Sequence, residues 1–303
     1  MHRIATLIFA ICICTAATAQ NPALHRSPAP SHRLRTPAGN PFLLIDYPGQ
    51  MAAQSPFSIN DSGKIVGFYN LSDTAANGYG LVGKSFRDLS YPGSPLSVPY
   101  GINKHNQVVG FYCLTETCDT GHAYTWKAGV FTSFDYPGAS NYTSANAING
   151  AGDIVGSYQT PDYVFHGFLE HNGTFTSFDA PGAGYLTQPT GINNAGTIVG
   201  FIQDSNDFDH AFILQNGVFT NADYPGSVAC ELDGINDAGD MVGEFTNDLQ
   251  TWHGFVLSGG TYTLIDAPFP GTTFTAPYSI NNQHQIVGGY GSSVYEFGFL
   301  TTY

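Results

Sequence analysis

The dipeptide Ile-Asn, followed seven residues after its Asn by a Gly, occurs six times in this sequence of 303 residues. The asparagines are Asn60, Asn103, Asn149, Asn193, Asn236 and Asn281, and the glycines are Gly67, Gly110, Gly156, Gly200, Gly243 and Gly288. The inner spacing never varies, whereas successive copies begin 43 to 46 residues apart. A unit of this length is one supersecondary element and cannot bury a core alone, so its copies must pack on one another.

The third copy shows what the unit is. Residues 144–148 form a short strand, Asn149-Gly150-Ala151-Gly152 a turn, and residues 153–158 a second strand rich in β-branched and aromatic side chains. An Asn side chain bonds the backbone two residues on, and Gly accepts the positive φ of a tight hairpin. A variable loop (159–165) leads to a third strand (166–171), an Asn172-Gly173 hairpin turn and a fourth strand (174–179). Helical periodicity is absent. Four short antiparallel strands per repeat predict a β-propeller blade, so the chain is expected to be all-β and six-bladed over residues 42–303. A solenoid is the rival, but it needs caps at both ends. Here the C-terminus (Phe297–Thr301) reads as a third strand without a fourth, and Phe42–Asp46 as a fourth strand without its first three. Pairing them closes the circle and removes two sheet edges.

The tight hairpins also predict register. The turn Asn172-Gly173 places His166 opposite Asp179, and the equivalent turns place His122 opposite Asp135, His210 opposite Asp223 and His253 opposite Asp266. The first copy offers Tyr79 opposite Ser90 in their stead, and the closing blade Phe297 opposite Asp46. One position on, a small residue faces a large one: Ala123 and Phe134, Gly167 and Phe178, Gly254 and Ile265, Gly80 and Leu89, Gly298 and Ile45. A His beside an Asp suggests a catalytic dyad. Four equivalent copies point instead to a structural hydrogen bond, since an active site is single and a structural device repeats with its unit.

Residues 1–19 have the layout of a secretory signal peptide, with a basic start, an apolar run and cleavage expected after Ala19. Residues 20–41, with Arg26, Arg33 and Arg35 among Pro and Ser, read as a flexible leader. No later stretch is long and apolar enough to span a membrane, which leads us to expect a secreted protein. The formal net charge is −14 and no Lys or Arg follows Lys127, which argues against nucleic-acid binding. Cys113 and Cys118, with four residues between them in an exported protein, suggest a local disulfide. Cys230 is left over, and no His or basic residue near it in sequence supports a reactive thiol.

Written as I-N-x-x-G-x-[IV]-V-G, then H-[AG]-[FY], then F-x-x-[FL]-D-x-P-G, the unit resembles that of the HAF-repeat proteins, extracellular bacterial repeat proteins named for a His-Ala-Phe triplet. Here the triplet stands as His210-Ala211-Phe212, with variants at His122, His166 and His253, and the resemblance covers Phe42 to Tyr303. The first and last copies lack the His. The resemblance implies secretion and a repeat fold, and it carries no activity.

In a propeller the first-to-second and third-to-fourth turns share one face. Those turns are uniform here, whereas the loops of the opposite face differ in every copy, which makes that face the candidate binding surface. The residue three before each repeated Asn lies at the mouth of the channel: Phe57, Tyr100, Asn146, Thr190, Asp233 and Tyr278. Aromatic faces with a few hydrogen-bonding groups suit an extracellular carbohydrate or protein ligand. The loop Asp204–Asp209 has oxygen ligands for Ca²⁺ but lacks the full calcium-loop pattern, so no metal or other cofactor is expected. Sialidase chemistry is disfavoured by a single Arg (Arg87) in the blades, and G-x-S-x-G and H-E-x-x-H are absent. A binding module is therefore expected. A polysaccharide hydrolase or lyase using Glu231, Asp233 or a Tyr near the axis is the alternative.

Overall fold

The computed structural model describes residues 42–48, 54–72, 74–292 and 296–303. The expected signal peptide, its cleavage site and the leader lie outside the described residues. Strand β1 (Leu43–Ile45) comes first. Unit one follows as β2 (Gln54–Ile59), β3 (Ile65–Asn70), β4 (Ala76–Val82) and β5 (Ser85–Asp88). Unit two is β6 (Leu96–Ile102), β7 (Val108–Cys113), β8 (Gly121–Lys127) and β9 (Val130–Phe134). Unit three is β10 (Thr143–Ile148), β11 (Ile154–Gln159), β12 (Phe165–His171) and β13 (Thr174–Phe178). Unit four is β14 (Leu186–Ile192), β15 (Ile198–Gln203), β16 (Asp209–Gln215) and β17 (Val218–Asn221). Unit five is β18 (Ala229–Ile235), β19 (Met241–Thr246), β20 (Trp252–Ser258) and β21 (Thr261–Leu264), and unit six is β22 (Phe274–Ile280), β23 (Gln285–Gly291) and β24 (Glu296–Thr302). The described residues contain no helix.

Consecutive strands within a unit pair antiparallel, and neighbouring units are joined in twos by one parallel contact, giving three eight-stranded sheets. The edge of β24 is taken by β1, with Leu43 opposite Leu300, Leu44 opposite Phe299 and Ile45 opposite Gly298. Each first strand lies against the first strands of the units before and after it, and β2 touches β22 as well as β6.

The repeated Asn explains itself in this arrangement. Its Oδ1 accepts the backbone N–H four residues on in every unit and the one two residues on in all but unit five, as when Asn193 takes those of Ala195 (3.1 Å) and Thr197 (3.0 Å), which closes the turn. Its Nδ2 donates to the carbonyl of the next repeated Asn: Asn60 to Asn103, Asn103 to Asn149, Asn149 to Asn193, Asn193 to Asn236, Asn236 to Asn281 and Asn281 to Asn60, at 3.0–3.3 Å. All six side chains are buried. One residue type thus shapes each turn and links each unit to the next, including the last to the first.

The repeated Gly answers to a bulge. The pairing of first and second strands skips one residue in every unit, immediately after the residue opposite that Gly. The bulge presses a backbone carbonyl onto the glycine: a Cβ on Gly156 would lie 1.9 Å from the oxygen of Ser144, and the other five would meet the equivalent carbonyl at 2.1–2.2 Å. From the other side the glycines are covered by third-strand aromatics, Tyr79, Tyr124, Phe168, Phe212, Phe255 and Phe299, all buried.

The first hairpin corrects the sequence reading. Its turn is Gly83-Lys84, so Tyr79 pairs with Asp88 and Gly80 with Arg87, a slip of two residues from the expected partners. The position equivalent to the histidines is Asn77, beside Tyr69, and the small residue opposite Leu89 is Gly78, whose carbonyl accepts the Leu89 N–H at 2.9 Å. A Cβ on Gly78 would strike Pro99 of the next unit at 2.6 Å, so the small residue leaves room for a neighbour. Between units, the aromatic of each Tyr-Pro-Gly or Phe-Pro-Gly corner stacks on the second strand of the following unit. Tyr47 lies on Tyr69, Tyr91 on Tyr112, Tyr136 on Tyr158 and Tyr224 on Phe245 at 3.6–3.9 Å, with Phe269 on Tyr290 at 4.5 Å.

Candidate functional site

The residues skipped by the six bulges are Phe57, Tyr100, Asn146, Thr190, Asp233 and Tyr278. They are the six that the sequence places around the channel mouth, and the bulge is the device that turns them off the ladder. Three of them meet: Phe57 lies 5.2 Å, centroid to centroid, from both Tyr100 and Tyr278. Asn146 and Thr190 are spent on structure. Asn146 Nδ2 donates to the Pro189 carbonyl (2.8 Å), and Thr190 Oγ1 donates to the Leu232 carbonyl (2.6 Å), each crossing to the next unit. Asp233 Oδ2 is buried without a hydrogen-bond partner.

Around Asp233 gathers a group of carboxyls. Glu231 on β18 stands opposite Glu244 on β19. Asp209, the first residue of β16, lies near Glu231, and each carboxyl acts on the other electrostatically. Glu296, the first residue of β24, lies beside the Tyr278 hydroxyl at 3.4 Å. No other unit has an acid at these two positions: Phe68 and Phe111 correspond to Glu244, and Val98, Gln188 and Ala276 to Glu231. Units one and two therefore present a hydrophobic cluster that includes Phe57, Phe68, Val98 and Phe111 where units four to six present acid. Asp209 and Glu296 open their strands at the end that carries the variable loops, whereas Glu231, Glu244 and Asp233 lie deeper, Asp233 three residues before the Asn236 turn.

Burial raises every one of these acids. Asp209 is pushed up to about 6, Glu296 to about 7 and Asp233 to about 8. Glu231 and Glu244 are driven well above the usual carboxylate range, first by burial and then by the neighbouring charges. Unfolded, the same groups titrate near 4. A folded value above the unfolded one means that the native state holds the extra protons, so this stability is complete below about pH 4 and drains away as pH rises toward about 8. The carboxyls with lowered values, Asp162, Asp204, Asp237 and Asp248, work in the opposite direction but face solvent at least in part and are screened. The melting temperature is thus expected to be higher at pH 5 than at pH 8, by differential scanning calorimetry in constant salt. A lower value at pH 5 would contradict the buried-acid description.

In the four His–Asp pairs the Nδ1 of each histidine lies 2.8–3.0 Å from its aspartate: His122 and Asp135, His166 and Asp179, His210 and Asp223, His253 and Asp266. In units four and five the aspartate also accepts the N–H of the residue after the histidine, Ala211 (2.7 Å) and Gly254 (3.1 Å), which pins the outer strand. Cys113 and Cys118 are disulfide-bonded, with Cα atoms 5.2 Å apart. Cys230 is fully buried and its thiol accepts the Tyr224 N–H, while burial pushes its pKa up. In the loop considered for Ca²⁺, Asp204 Oδ1 takes the N–H groups of Asn206 (2.8 Å) and Phe208 (3.0 Å), and Asp207 takes the Tyr185 hydroxyl (2.9 Å). Among the described residues no group of three or more His, Cys, Asp or Glu is placed to hold a metal.

At the opposite end, among the Ile-Asn turns, a central cavity of about 90 Å³ is lined by all six units, Ile59, Asn60, Asn103 and Asp237 among them. Its amide groups are occupied by the Asn circuit. Sequence reasoning missed this cavity because it treated the turns one at a time.

No protein-family model and no curated protein matches the chain. Solved structures do. AofleA from Arthrobotrys oligospora superimposes with a TM-score of 0.56 at 13% identity over 88% of each chain. The Aleuria aurantia lectin, described as a six-bladed β-propeller with a novel fucose recognition mode, gives 0.50 at 10% identity over 82% of this chain and 90% of its own. A gluconolactonase from Xanthomonas campestris gives 0.52 at 12% identity, covering 86% and 89%. The fold is a β-propeller. Identities this low extend the likeness to the fold alone. No helix among the described residues of the propeller is long and apolar enough to cross a membrane.

Proposed function

We propose that this chain is a secreted carbohydrate-binding propeller of the HAF-repeat type, whose site is the channel mouth on the variable-loop face. In this reading the six units are blades of four strands, and β1 supplies the missing strand of the last blade. The circuit of Asn side chains and the pairing of Ile45 with Gly298 support closure. The observation that carries the function is the convergence of Phe57, Tyr100 and Tyr278, three aromatic faces in contact on one side of the axis with unspent hydrogen-bonding groups on the other. Structural neighbours described as a lectin with fucose recognition and as a gluconolactonase favour a sugar-like ligand over a protein. The His–Asp pairs serve as latches within the blades.

Titration of the protein with a panel of soluble glycans should give saturable binding heat with at least one class, and Tyr278→Ala should weaken it about tenfold, the loss of one stacked ring. A panel without any heat or fluorescence change would remove this reading. One observation favours a second: Asp233, raised to about 8 by burial, holds its proton at neutral pH, as a general acid must, and burial also raises Glu231 and Glu244 beside it. Release of reducing ends from a bound polysaccharide, abolished by Asp233→Asn, would establish a hydrolase in place of a binder.

A further inference from the structure

Five carboxyls share one compartment of the propeller, and among the described residues the one cationisable side chain found acting on them is His210, beside Asp209. Lys127 is the last Lys or Arg in the sequence, whereas Asp209, Glu231, Asp233, Glu244 and Glu296 all lie beyond it. Buried acids are ordinarily paired with Arg, Lys or a metal, because desolvating a charge without a partner is costly. Acceptor positions here stay open: Asp209 Oδ1 and Asp233 Oδ2 are buried and make no hydrogen bond. Ser55, 0% exposed on β2, aims its Oγ at the same space. That Oγ and Glu296 Oε1 both come within 3 Å of the point where a Cβ on Gly289 would stand (2.9 and 2.6 Å). Ser55 is near enough to Glu296 to restrain its pKa but forms no well-directed hydrogen bond. Glycine at position 289 keeps this niche clear, with a Tyr278 ring carbon 3.3 Å from the same point. Asp209, Glu231, Asp233 and Glu244 are only half-buried, so the group is open to a small ligand.

The geometry points to a receptor for a protonated primary amine carried on a sugar, that is, a cationic amino saccharide, held between the carboxyls of blades four to six and an aromatic wall of the half-buried Tyr100 and Tyr278, backed by the buried Phe57. This rests on the carbohydrate reading above and narrows it. An ammonium group supplies three N–H donors and a positive charge, so its binding ionises carboxyls that burial holds protonated in the free protein and releases their protons. The neighbouring rings take the apolar face of the pyranose and add a cation–π contribution. A free polyamine satisfies the acids but leaves the aromatic wall unused, so the sugar is the favoured carrier.

Isothermal titration of the full mature chain at pH 6.5 with a glucosamine tetramer, its fully N-acetylated counterpart and spermidine separates these cases. The glucosamine tetramer is expected to bind at least tenfold more tightly than either of the others. Asp233→Asn and, independently, Glu244→Gln should each weaken it about tenfold while melting at or above the wild-type temperature, because each removes a carboxyl that burial disfavours. Equal binding of the acetylated and free-amine tetramers overturns the inference and leaves carbohydrate binding standing. Spermidine binding as tightly as the tetramer overturns the saccharide assignment. The absence of binding by any saccharide in this set and in the wider glycan panel removes both readings. Retention of the free-amine preference in both variants overturns the placement of the receptor.

Discussion

A chain lacking residues 42–48 is expected to lose about 5 kcal/mol of stability and to aggregate. Phe42 and Ile45 are buried at 7% and 2% exposure, against Phe299 and Phe269 on one side and among Ile59, Tyr69, Tyr79 and Val287 on the other. Burying a side chain of that size is worth about 2 kcal/mol. The stack of Tyr47 on Tyr69 at 3.9 Å adds about 1 kcal/mol, giving the total above. A domain has roughly 5–15 kcal/mol to lose. The aggregation has a separate cause: without β1 the edge of β24 presents unpaired backbone groups to other chains. Thermal unfolding followed by circular dichroism, with light scattering on the same sample, reads both effects. An unchanged melting temperature would mean that the first strand is not part of the fold.

The second large effect belongs to the Asn circuit. Asn193→Ala removes the cross-blade bond to the Asn236 carbonyl and the two bonds that close its own turn. The Thr197 N–H is left in a buried residue, and each unsatisfied buried group costs about 1–3 kcal/mol. The expected loss is about 3 kcal/mol, measured by urea unfolding with an unchanged denaturant slope. A substitution to Ala at an exposed Asn such as Asn141, which contributes to no circuit and has no positive φ, should cost well under half as much. Equal losses at the two positions would deny the circuit its role.

The repeat, the turns and the register of four hairpins were legible in the sequence because a two-residue turn fixes the pairing of everything beyond it. The slip in blade one has the same cause in reverse. Gly83-Lys84 lacks the Asn-Gly or Gly-Gly signature, so nothing marked the centre of that hairpin, and Tyr79, a core aromatic equivalent to Tyr124 and Phe168, was taken for the counterpart of a histidine. The six inward residues were legible as a periodic position, but the bulge that aims them is a property of two strands and the Gly between them. The carboxyl group was half-legible. Asp233 and Glu231 stood out near the axis, whereas Asp209, Glu244 and Glu296 lie on other strands and meet them only through pairing and blade packing. Their signal was present as charged residues at aligned positions that are otherwise apolar or small, such as Glu244 against Phe68 and Phe111. The inter-blade donation by Asn Nδ2 left no such trace, since the turn alone accounts for an Asn there.

Everything proposed for the axis requires that the last blade be completed by the first strand. The most direct measurement is a cross-link across that seam, with Leu43→Cys and Leu300→Cys placed in one chain at a paired position. Antiparallel partners have Cα atoms about 4.5–5.5 Å apart, within disulfide range. Mild oxidation of the native protein should consume both new thiols, raise the melting temperature and leave buried Cys230 unreacted. If both thiols stay free in a folded protein and react independently with an added reagent, the two ends are not paired and the ring is not closed.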